Sequence, residues 1–422
     1  MTFKTSRRNL LTQIAAGAAV AQMPMVSFAQ TKKIKIGFVS PQTGVLAAFG
    51  ETDRWALNSL KDQLAKGVTI NGTQYAVEVL HRDSQSSPNR AAEVANELIL
   101  KDKVDLMVAT SAPETVNPVS DACELNEVPC ITTIAPWQPW FFGRNGDPAK
   151  GFNWTYHFFW GLEEVISVYT NMWKSVNTNK KVGGLFPNDS DGNAWGDPKM
   201  GLPPALAVHG FSTTDPGRFQ TMTQTFAAQL GAFKREGADI VTGVVITPDV
   251  KTFLTQARQQ NYKPKVISIA KALLLPSQVE AVGDLANGVS TEVWWSPSHP
   301  FKSSLTQQSA KALADQYEAT TKRQWTQPIG FSHALFEVAM DVLKRSKDPS
   351  NKASVRDAIA ATNLETIVGN VKFGGPGPMR NVSKTPLVGG QWVKGTTNKY
   401  EMVIVNNQTA PNIPVGGKLR LL

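Results

Sequence analysis

One short motif comes close to an activated nucleophile. Residues 330–334 read GFSHA, which differs from the G-x-S-x-G turn of hydrolases at its last position. That turn needs its final glycine to expose a serine between a strand and a helix, so Ser332 is a poor candidate. The sequence also contains no G-x-G-x-x-G, Walker loop, H-E-x-x-H or C-x-x-C pattern. We therefore predict no catalytic residue, and an enzyme is the least favoured class.

The usual ligands of transition metals are few and poorly spaced. The five histidines show no metal-ligand spacing, and we expect them in surface or capping roles. Cys123 and Cys130 stand seven residues apart, at a predicted helix end and in the following strand. In an oxidising compartment they could form a local disulfide; the alternative is two small buried thiols. We predict no metal and no cofactor.

Aromatic residues are concentrated in one segment. Residues 137–160 contain ten aromatic side chains, where the average composition predicts about two. The segment follows the end of a predicted strand, which is where open α/β sheets bind ligands. We predict that Trp137 and Trp140 line a site for a planar or apolar ligand, while the other rings pack the interior. The alternative is that all ten rings serve packing.

Two runs of alternating strands and helices would position such a site. The first run has predicted strands at 34–40, 75–82, 104–110 and 129–135. The second run has predicted strands at 181–186, 238–246 and 265–270. Long helices at about 303–321 and 331–346 and a β-rich tail at 371–406 follow. The alternation predicts an α/β protein with two parallel central sheets.

Length and composition exclude several classes of protein. The 422 residues suit two or three domains of about 100–200 residues each. Hydrophobic residues make up 41% and charged residues 18%, which excludes disorder and permits a large core. After residue 30 no apolar run approaches the roughly 20 residues of a membrane helix. The net charge of +9 is mild and spread along the chain, so we expect no nucleic-acid partner.

Residues 1–29 have the pattern of a cleaved export signal. Arg7 and Arg8 lie in the run SRRNLL, which matches the twin-arginine signature, and an apolar Ala/Gly-rich stretch follows. Small residues occupy positions −3 and −1 of a cleavage site after Ala29. The alternative, a membrane anchor, is disfavoured because polar residues and Pro24 interrupt the apolar stretch. We predict a periplasmic mature protein.

The order and spacing of several motifs resemble those of a known family. They are the opening run IKIGFVSP at 34–41, Thr43-Gly44, Phe49-Gly50-Glu51, Thr110-Ser111-Ala112, Pro118 with Ser120-Asp121, Val128-Pro129-Cys130-Ile131 and Gln256-Ala257-Arg258. Over about residues 31–406 the chain resembles periplasmic solute-binding proteins of the branched-chain amino acid (Leu/Ile/Val-binding) type.

The resemblance implies the type I periplasmic binding protein fold, two Rossmann-like lobes joined by three crossovers. Lobe 1 would comprise 31–152 and 298–366, and lobe 2 would comprise 153–292 and 371–406. The crossovers would fall near 150–158, 288–300 and 366–382, and residues 407–422 would form a C-terminal tail.

The resemblance also implies a function. It predicts the monomeric substrate-binding component of an ABC importer, which closes by a hinge motion on a small organic ligand and delivers it to a membrane permease. Two alternatives stay open: a branched-chain amino acid as the ligand, or a ligand sensor that signals to a receptor. The fold alone does not separate transport from sensing.

Ligand contacts carried over from the family fall in loops after the strands. In lobe 1 they are Phe49, Ser111, Ala112, Thr115, Ala135 and Pro136, joined by Trp137 and Trp140. In lobe 2 they are Asp189, Asn193, Trp195, Thr247, which would cap its helix, and Lys271. In amino-acid binders, free backbone N–H groups in the loop at Ser111 receive the ligand's carboxylate. Pro113 removes one such donor here, and Glu114 adds a negative charge.

Lys271 departs most from the family pattern. Amino-acid binders commonly have an acidic residue near this position to pair with the ligand's ammonium, which Lys271 would repel. We therefore predict a ligand with a carboxylate, aromatic or otherwise, and no ammonium at this point. The alternative is a register error of one residue that leaves Lys271 in solvent.

Overall fold

The computed structural model describes residues 32–422, so the export signal predicted at 1–29 lies outside the described part of the chain. Residues 33–422 belong to one structural unit. Among the described helices, none combines the length and apolar character needed to cross a membrane.

The secondary structure alternates as the sequence predicts. Numbered along the described chain, the strands are β1 (Lys32–Ser40), β2 (Val68–Ile70), β3 (Thr73–Asp83), β4 (Leu106–Thr110), β5 (Cys130–Thr133), β6 (Thr155–Phe158), β7 (Lys181–Leu185), β8 (Ser212–Thr214), β9 (Ile240–Val244), β10 (Val266–Ala270), β11 (Ser290–Val293), β12 (Asn363–Thr366), β13 (Gly369–Lys372), β14 (Val382–Ser383), β15 (Val388–Lys394) and β16 (Tyr400–Asn406). The α-helices are α1 (Ala47–Gly50), α2 (Asp53–Ser59), α3 (Lys61–Ala65), α4 (Pro88–Asn96), α5 (Pro113–Leu125), α6 (Trp137–Phe141), α7 (Leu162–Lys174), α8 (Ser190–Trp195), α9 (Leu202–Val208), α10 (Ala227–Glu236), α11 (Thr247–Gln259), α12 (Pro276–Val282), α13 (Ala310–Thr321), α14 (Pro328–Arg345) and α15 (Lys352–Ala360).

Two seven-stranded sheets form the two lobes. The first has the strand order β14-β6-β5-β4-β1-β3-β2, and the second has the order β16-β15-β11-β10-β9-β7-β8. The central pairs are parallel in both sheets. Antiparallel pairs occur toward the edges, where β2 pairs with β3 and β15 pairs with β11 and β16. The predicted two-lobed α/β fold is confirmed, with sheets that are mostly rather than entirely parallel.

Side-chain alternation along the strands explains why helices cover both faces of the first sheet. In β4, Leu106 and Val108 pack in the same apolar cluster as α14. Met107 and Ala109 pack instead with α4 and α5. A strand buried on both faces needs a continuous apolar run, which is the pattern that the sequence shows here.

The lobe boundaries differ from the predicted ones. β6 pairs with β5, so residues 155–158 belong to the first sheet rather than to the second lobe. β14 pairs with β6 and brings the chain back to the first sheet once more. The chain therefore crosses between the sheets at 159–161, 294–309 and 384–387. The sequence missed β6 because its four residues lie inside the aromatic segment and lack a separate strand pattern.

The C-terminal residues pack against the second lobe rather than standing apart as a tail. The Arg420 N–H donates to Gln391 Oε1 at 3.0 Å, and the Leu422 N–H donates to the Lys265 carbonyl at 2.9 Å. Ala410 and Ile413 are buried in an apolar cluster with residues of β11, β15 and β16.

A buried carboxylate joins three elements of the first lobe. Asp53, in α2, accepts hydrogen bonds from Ser332 Oγ at 2.6 Å and from Thr110 Oγ1 at 3.0 Å. Burial raises the pKa of Asp53 from 3.8 to about 6, although these hydroxyl donors act in the opposite direction. Ser332, the serine of the motif at 330–334, is fully buried here and is placed as a structural donor.

The raised pKa of Asp53 predicts a pH-dependent stability. Between pH 3.8 and about 6 the folded protein holds a proton that the unfolded chain has released. The contribution of Asp53 to stability is therefore complete below pH 3.8 and is lost as the pH rises through about 6. The unfolding free energy of the wild-type protein should therefore fall between pH 4 and pH 7, and Asp53 should account for on the order of 3 kcal/mol of that fall. We expect Asp53→Asn to remove this part of the pH dependence.

Urea denaturation at several pH values checks this prediction. The exposed Asp315, which pairs with Lys311 one helical turn away, provides the matched control, Asp315→Asn. The prediction fails if the pH slopes of wild type and Asp53→Asn coincide.

Candidate ligand-binding site

A cavity lies between the two sheets, at the carboxyl ends of strands from both lobes. Its empty volume, which includes space open to the solvent, is about 400 Å³. The wall consists of Phe49, Ala112, Pro113, Ile134, Pro136, Phe159, Trp160, Asp191, Trp195, Val244, Ala270, Lys271, Leu274, Glu292 and Trp294. Open α/β sheets bind ligands at this edge.

Strained backbone marks the strand ends beside the cavity. Ser111, Ala112, Ile134 and Lys271 have φ angles of 77°, 63°, 61° and 70°. Residues other than glycine seldom occupy this left-handed region, because it costs about 1–3 kcal/mol per residue. Such strain is concentrated at functional sites, and here it turns the chain from β4, β5 and β10 into the cavity wall.

The most highly charged part of the wall surrounds Lys271. Its Nζ donates to Asp191 Oδ2 at 2.6 Å and to Glu114 Oε1 at 3.3 Å, and Asp189 Oδ2 lies 4.0 Å away. Asp189 and Asp191 belong to the second lobe, as Lys271 does, whereas Glu114 lies in α5 of the first lobe. The pair of Lys271 and Glu114 therefore connects the lobes across the cleft.

Local hydrogen bonds fix both members of the closest ion pair. The carbonyl of Lys271 accepts from Gln278 Nε2 at 3.1 Å, and Gln278 Oε1 accepts from the Leu274 N–H at 2.9 Å. At the start of α8, Asp189 Oδ1 accepts from the Gly192 N–H at 2.7 Å and so caps the helix that carries Asp191. Both charged groups are thus placed by their own loops.

Burial and charge shift the pKa values of this group. Burial acts to lower the pKa of Lys271, but its carboxylate neighbours, Asp191 first, outweigh burial and raise that pKa above its ordinary value. Burial raises the pKa of Asp191 to about 7, because desolvation exceeds the attraction of Lys271. Lys271 is therefore a charged ammonium whose hydrogen bonds go to protein carboxylates, not the free cation that the sequence predicts.

A second acid, Glu292, lines the wall next to Lys271, whose backbone hydrogen-bonds to its carboxylate. Its Oε2 accepts from the Tyr169 hydroxyl at 2.5 Å and from Thr291 Oγ1 at 3.0 Å. Burial raises the pKa of Glu292 to about 7. Glu292 is thus a further acidic side chain in the cavity wall, in addition to Asp191.

Five of the residues predicted for the site lie in the cavity wall. They are Phe49, Ala112, Pro136, Trp195 and Lys271. Each stands at or just after the carboxyl end of a strand or in a short helix at the cleft. The structure thus brings together residues from both lobes that are far apart in the sequence.

The loop predicted to receive a carboxylate has its backbone donors engaged. The Ser111 N–H donates to the Thr133 carbonyl at 3.2 Å, and the Ala112 N–H donates to the Ile134 carbonyl at 2.8 Å. The Thr115 N–H donates to the carbonyl of Ala112 at 3.0 Å. These bonds continue the sheet and start α5, so the three N–H groups are already paired within the protein.

Trp137 and Trp140 lie outside the wall. Trp140 is fully buried in the first lobe, where Nε1 donates to Ser120 Oγ at 3.1 Å and the ring stacks on His157. Trp137 Nε1 donates to Glu163 Oε1 at 3.0 Å. α6 packs the Trp140 ring into the first lobe, whereas the Trp137 indole N–H reaches Glu163 in α7, just after the crossover. Within residues 137–160, the aromatic residues that reach the cavity are Phe159 and Trp160, directly after β6.

The other predicted residues stand beside the wall with protein partners. Thr115 Oγ1 is 3.0 Å from Ser84 Oγ, and the carbonyl of Ala135 accepts from His157 Nε2 at 2.7 Å. Asn193 Oδ1 accepts from Arg218 Nε at 3.3 Å. Thr247 does not cap α11: it is the first helical residue, and its hydroxyl donates to the Ala272 carbonyl at 3.0 Å.

The histidines and cysteines considered in the sequence analysis lie mostly in the interior of the protein. His157, His299 and His333 are buried, contrary to the surface and capping roles expected from the sequence. Among residues 32–422, no group of three or more His, Cys, Asp or Glu residues is arranged to hold a metal ion. Cys123 and Cys130 are buried free thiols, the second of the two arrangements considered, and burial raises the pKa of Cys123 above its ordinary range.

Several buried polar atoms at the cavity have no hydrogen-bond partner within residues 32–422. They include the indole Nε1 donors of Trp160, Trp195 and Trp294 and two carboxylate acceptors, Asp191 Oδ1 and Glu114 Oε2. An unpaired buried polar group costs about 1–3 kcal/mol, so a ligand that pairs with these atoms gains that free energy. No pattern in the sequence indicated Asp191, Glu292 or Trp294 as wall residues.

Two lobes that close around a cavity at their strand ends define a bilobal ligand-binding protein. A family model described as "Periplasmic binding protein" matches residues 33–395. The chain belongs to this family.

Individual relatives agree with that class. The chain is 23% identical over 394 residues to a leucine-, isoleucine-, valine-, threonine- and alanine-binding protein of Pseudomonas aeruginosa, covering 92% of this chain and 97% of the relative. A leucine-binding protein from Thermotoga maritima superposes with a TM-score of 0.71 at 17% identity, covering 89% and 99% of the two chains. A solute-binding protein of an ABC transporter from R. palustris, in complex with 4-hydroxybenzoate, superposes with a TM-score of 0.70 at 15% identity, covering 89% and 96%.

Proposed function

We propose that this protein is the periplasmic substrate-binding component of an ABC importer. It captures one small organic ligand between its lobes and delivers it, as a monomer, to a membrane permease. The observation that carries this proposal is the cavity, whose wall is supplied by both lobes at their strand ends. The similarity to solute-binding proteins of known ligands supports a ligand of small size.

Hinge motion at the crossovers would admit and release the ligand. The three crossovers are short or irregular, at 159–161, 294–309 and 384–387. Closure brings Glu114 and Lys271 to 3.3 Å, so the closed form has an ion pair between lobes that an open form lacks.

A thermal-shift screen tests ligand capture. It should contain amines, amino acids, carboxylates, amides and polyols, because the proposal does not depend on one of these classes. A ligand at about 100 times its Kd should stabilise the native state by about 2.7 kcal/mol. Failure of every compound to raise the Tm would contradict the proposal.

Export by the twin-arginine route is part of the proposal and gives its own prediction. Changing Arg7 and Arg8 together to lysine should keep the precursor in the cytoplasm, because the paired arginines are the recognised element of that signal. Immunoblots of periplasmic and cytoplasmic fractions measure the outcome. Efficient export of the double variant would show that the general secretory route is used instead.

A further inference from the structure

We infer that the ligand of this cavity is an organic cation with N–H donors, such as a protonated amine, rather than a carboxylate. The inference rests on the proposed function and specifies the ligand class of the same site. It depends on the charges around Lys271, on the unpaired carboxylate oxygens and on the aromatic wall.

The charged groups around the cavity carry an excess of negative charge. One cation, Lys271, faces the carboxylates of Glu114, Asp189 and Asp191, and Glu292 lies in the same wall. Even without Asp191 and Glu292, two carboxylates, those of Glu114 and Asp189, face the single ammonium of Lys271. An added carboxylate would increase this repulsion inside an enclosed space, whereas an added cation would relieve it.

The unpaired acceptors are placed for such a cation. Asp191 is 3% exposed, and its Oδ1 has no hydrogen-bond partner in the described chain. Glu114 Oε2 is equally unpaired, although the other oxygen of each carboxylate contacts Lys271. An ammonium in the cavity can donate to Oδ1 of Asp191, which belongs to the wall, because an ammonium has three N–H donors and no acceptor.

The aromatic wall suits the same class of ligand. Phe49, Phe159, Trp160, Trp195 and Trp294 all line the cavity. The faces of aromatic rings attract cations, and indole is the strongest of them. The unpaired indole Nε1 donors of Trp160, Trp195 and Trp294 require an acceptor on the same ligand, such as a hydroxyl or carbonyl oxygen. The backbone N–H groups of Ser111 and Ala112, which a carboxylate would need, are already bonded to carbonyls of the neighbouring segment.

Ligands with matched skeletons separate the charge classes. One set is leucine, 3-methylbutylamine and 4-methylpentanoate, and another is 4-hydroxybenzoate, 4-hydroxybenzylamine and 4-hydroxybenzyl alcohol. Isothermal titration calorimetry on the wild-type protein should show the amine of a set binding at least about tenfold more tightly than its carboxylate. For each compound that the thermal-shift screen finds, the affinities of the amine and the carboxylate with the same skeleton should be compared in the same way.

Variants test which protein group recognises the cation. Asp191→Asn should weaken amine binding by about tenfold or more. Asp315→Asn, the same change on an exposed helix, should leave amine affinity at the wild-type value. If Asp191→Asn does not fold, the comparison of matched ligands on the wild-type protein still decides the charge class.

The outcomes distinguish the inference from the proposed function. Tighter binding of a carboxylate, an amino acid or an uncharged compound than of every amine would overturn the inference and leave ligand capture intact. Equal amine affinity in wild type and Asp191→Asn would also overturn it. Binding by no compound of any class would overturn the proposed function, and the inference with it.

Discussion

Replacing Lys271 by methionine is expected to lower the free energy of unfolding by about 3–5 kcal/mol. Lys271 Nζ lies 2.6 Å from Asp191 Oδ2, and both side chains are almost fully buried. Removing the ammonium leaves Asp191 as a buried charge without its nearest counter-charge. Because Asp191 can take up a proton instead, the loss should be larger at pH 8 than at pH 5.

A double variant and a surface control test whether the unpaired charge of Asp191 causes the loss of stability in Lys271→Met. Combining Lys271→Met with Asp191→Asn should recover part of the stability, because the unpaired charge is gone. Lys311→Met removes an exposed lysine that also pairs with an aspartate, and it should cost no more than about 1 kcal/mol. Urea denaturation measures the unfolding free energy of the single variant, the double variant and the surface control. Equal losses in Lys271→Met and Lys311→Met would show that Lys271 is solvated in solution.

Trp195→Ala should have a comparable effect on stability and a further effect on ligand binding. The side chain is fully buried and forms part of the cavity wall. Its removal should cost about 3–5 kcal/mol of unfolding free energy. It also removes a ring face and an indole donor from the site, so affinity for a compound found by the screen should fall by about tenfold or more.

Trp140→Ala is the matched control for Trp195. Trp140 is equally buried but lies outside the wall, with its indole N–H bonded to Ser120. We expect a similar loss of stability and a ligand affinity close to that of wild type. Calorimetry at a temperature where both variants are folded measures the difference. A stronger effect of Trp140 than of Trp195 on affinity would contradict the site described here.

The sequence predicted regular elements well where the periodicity was strong. β7 and β10 lie within one residue of their predicted bounds. β6 and β11 have four residues each and were missed, because such short apolar runs next to aromatic clusters resemble loop or packing residues. These two strands end beside Phe159 and Trp294, so missing them also hid two wall residues.

The charge environment of Lys271 could not be read from the sequence. Asp191 and Glu114 are separated from Lys271 by 80 and 157 residues along the chain. Only the folding of two lobes against each other brings Glu114 to the lysine, and no local pattern encodes that approach. Similarly, the positions of Trp137 and Trp140 after a strand suggested the cleft. In the structure Trp140 bonds to Ser120 inside the first lobe, and the Trp137 indole N–H bonds to Glu163 in α7.

The measurement that tests the central claim most directly is a crystal structure of the protein with the tightest compound from the screen. We predict a single ligand enclosed by both lobes, in contact with Trp195 and Phe49 from opposite sides of the cleft, with Glu114 and Lys271 still paired. Ligand density only at another place, such as the groove beside Arg258 and Lys394 on the second lobe, would contradict the claim that the lobes close on a ligand.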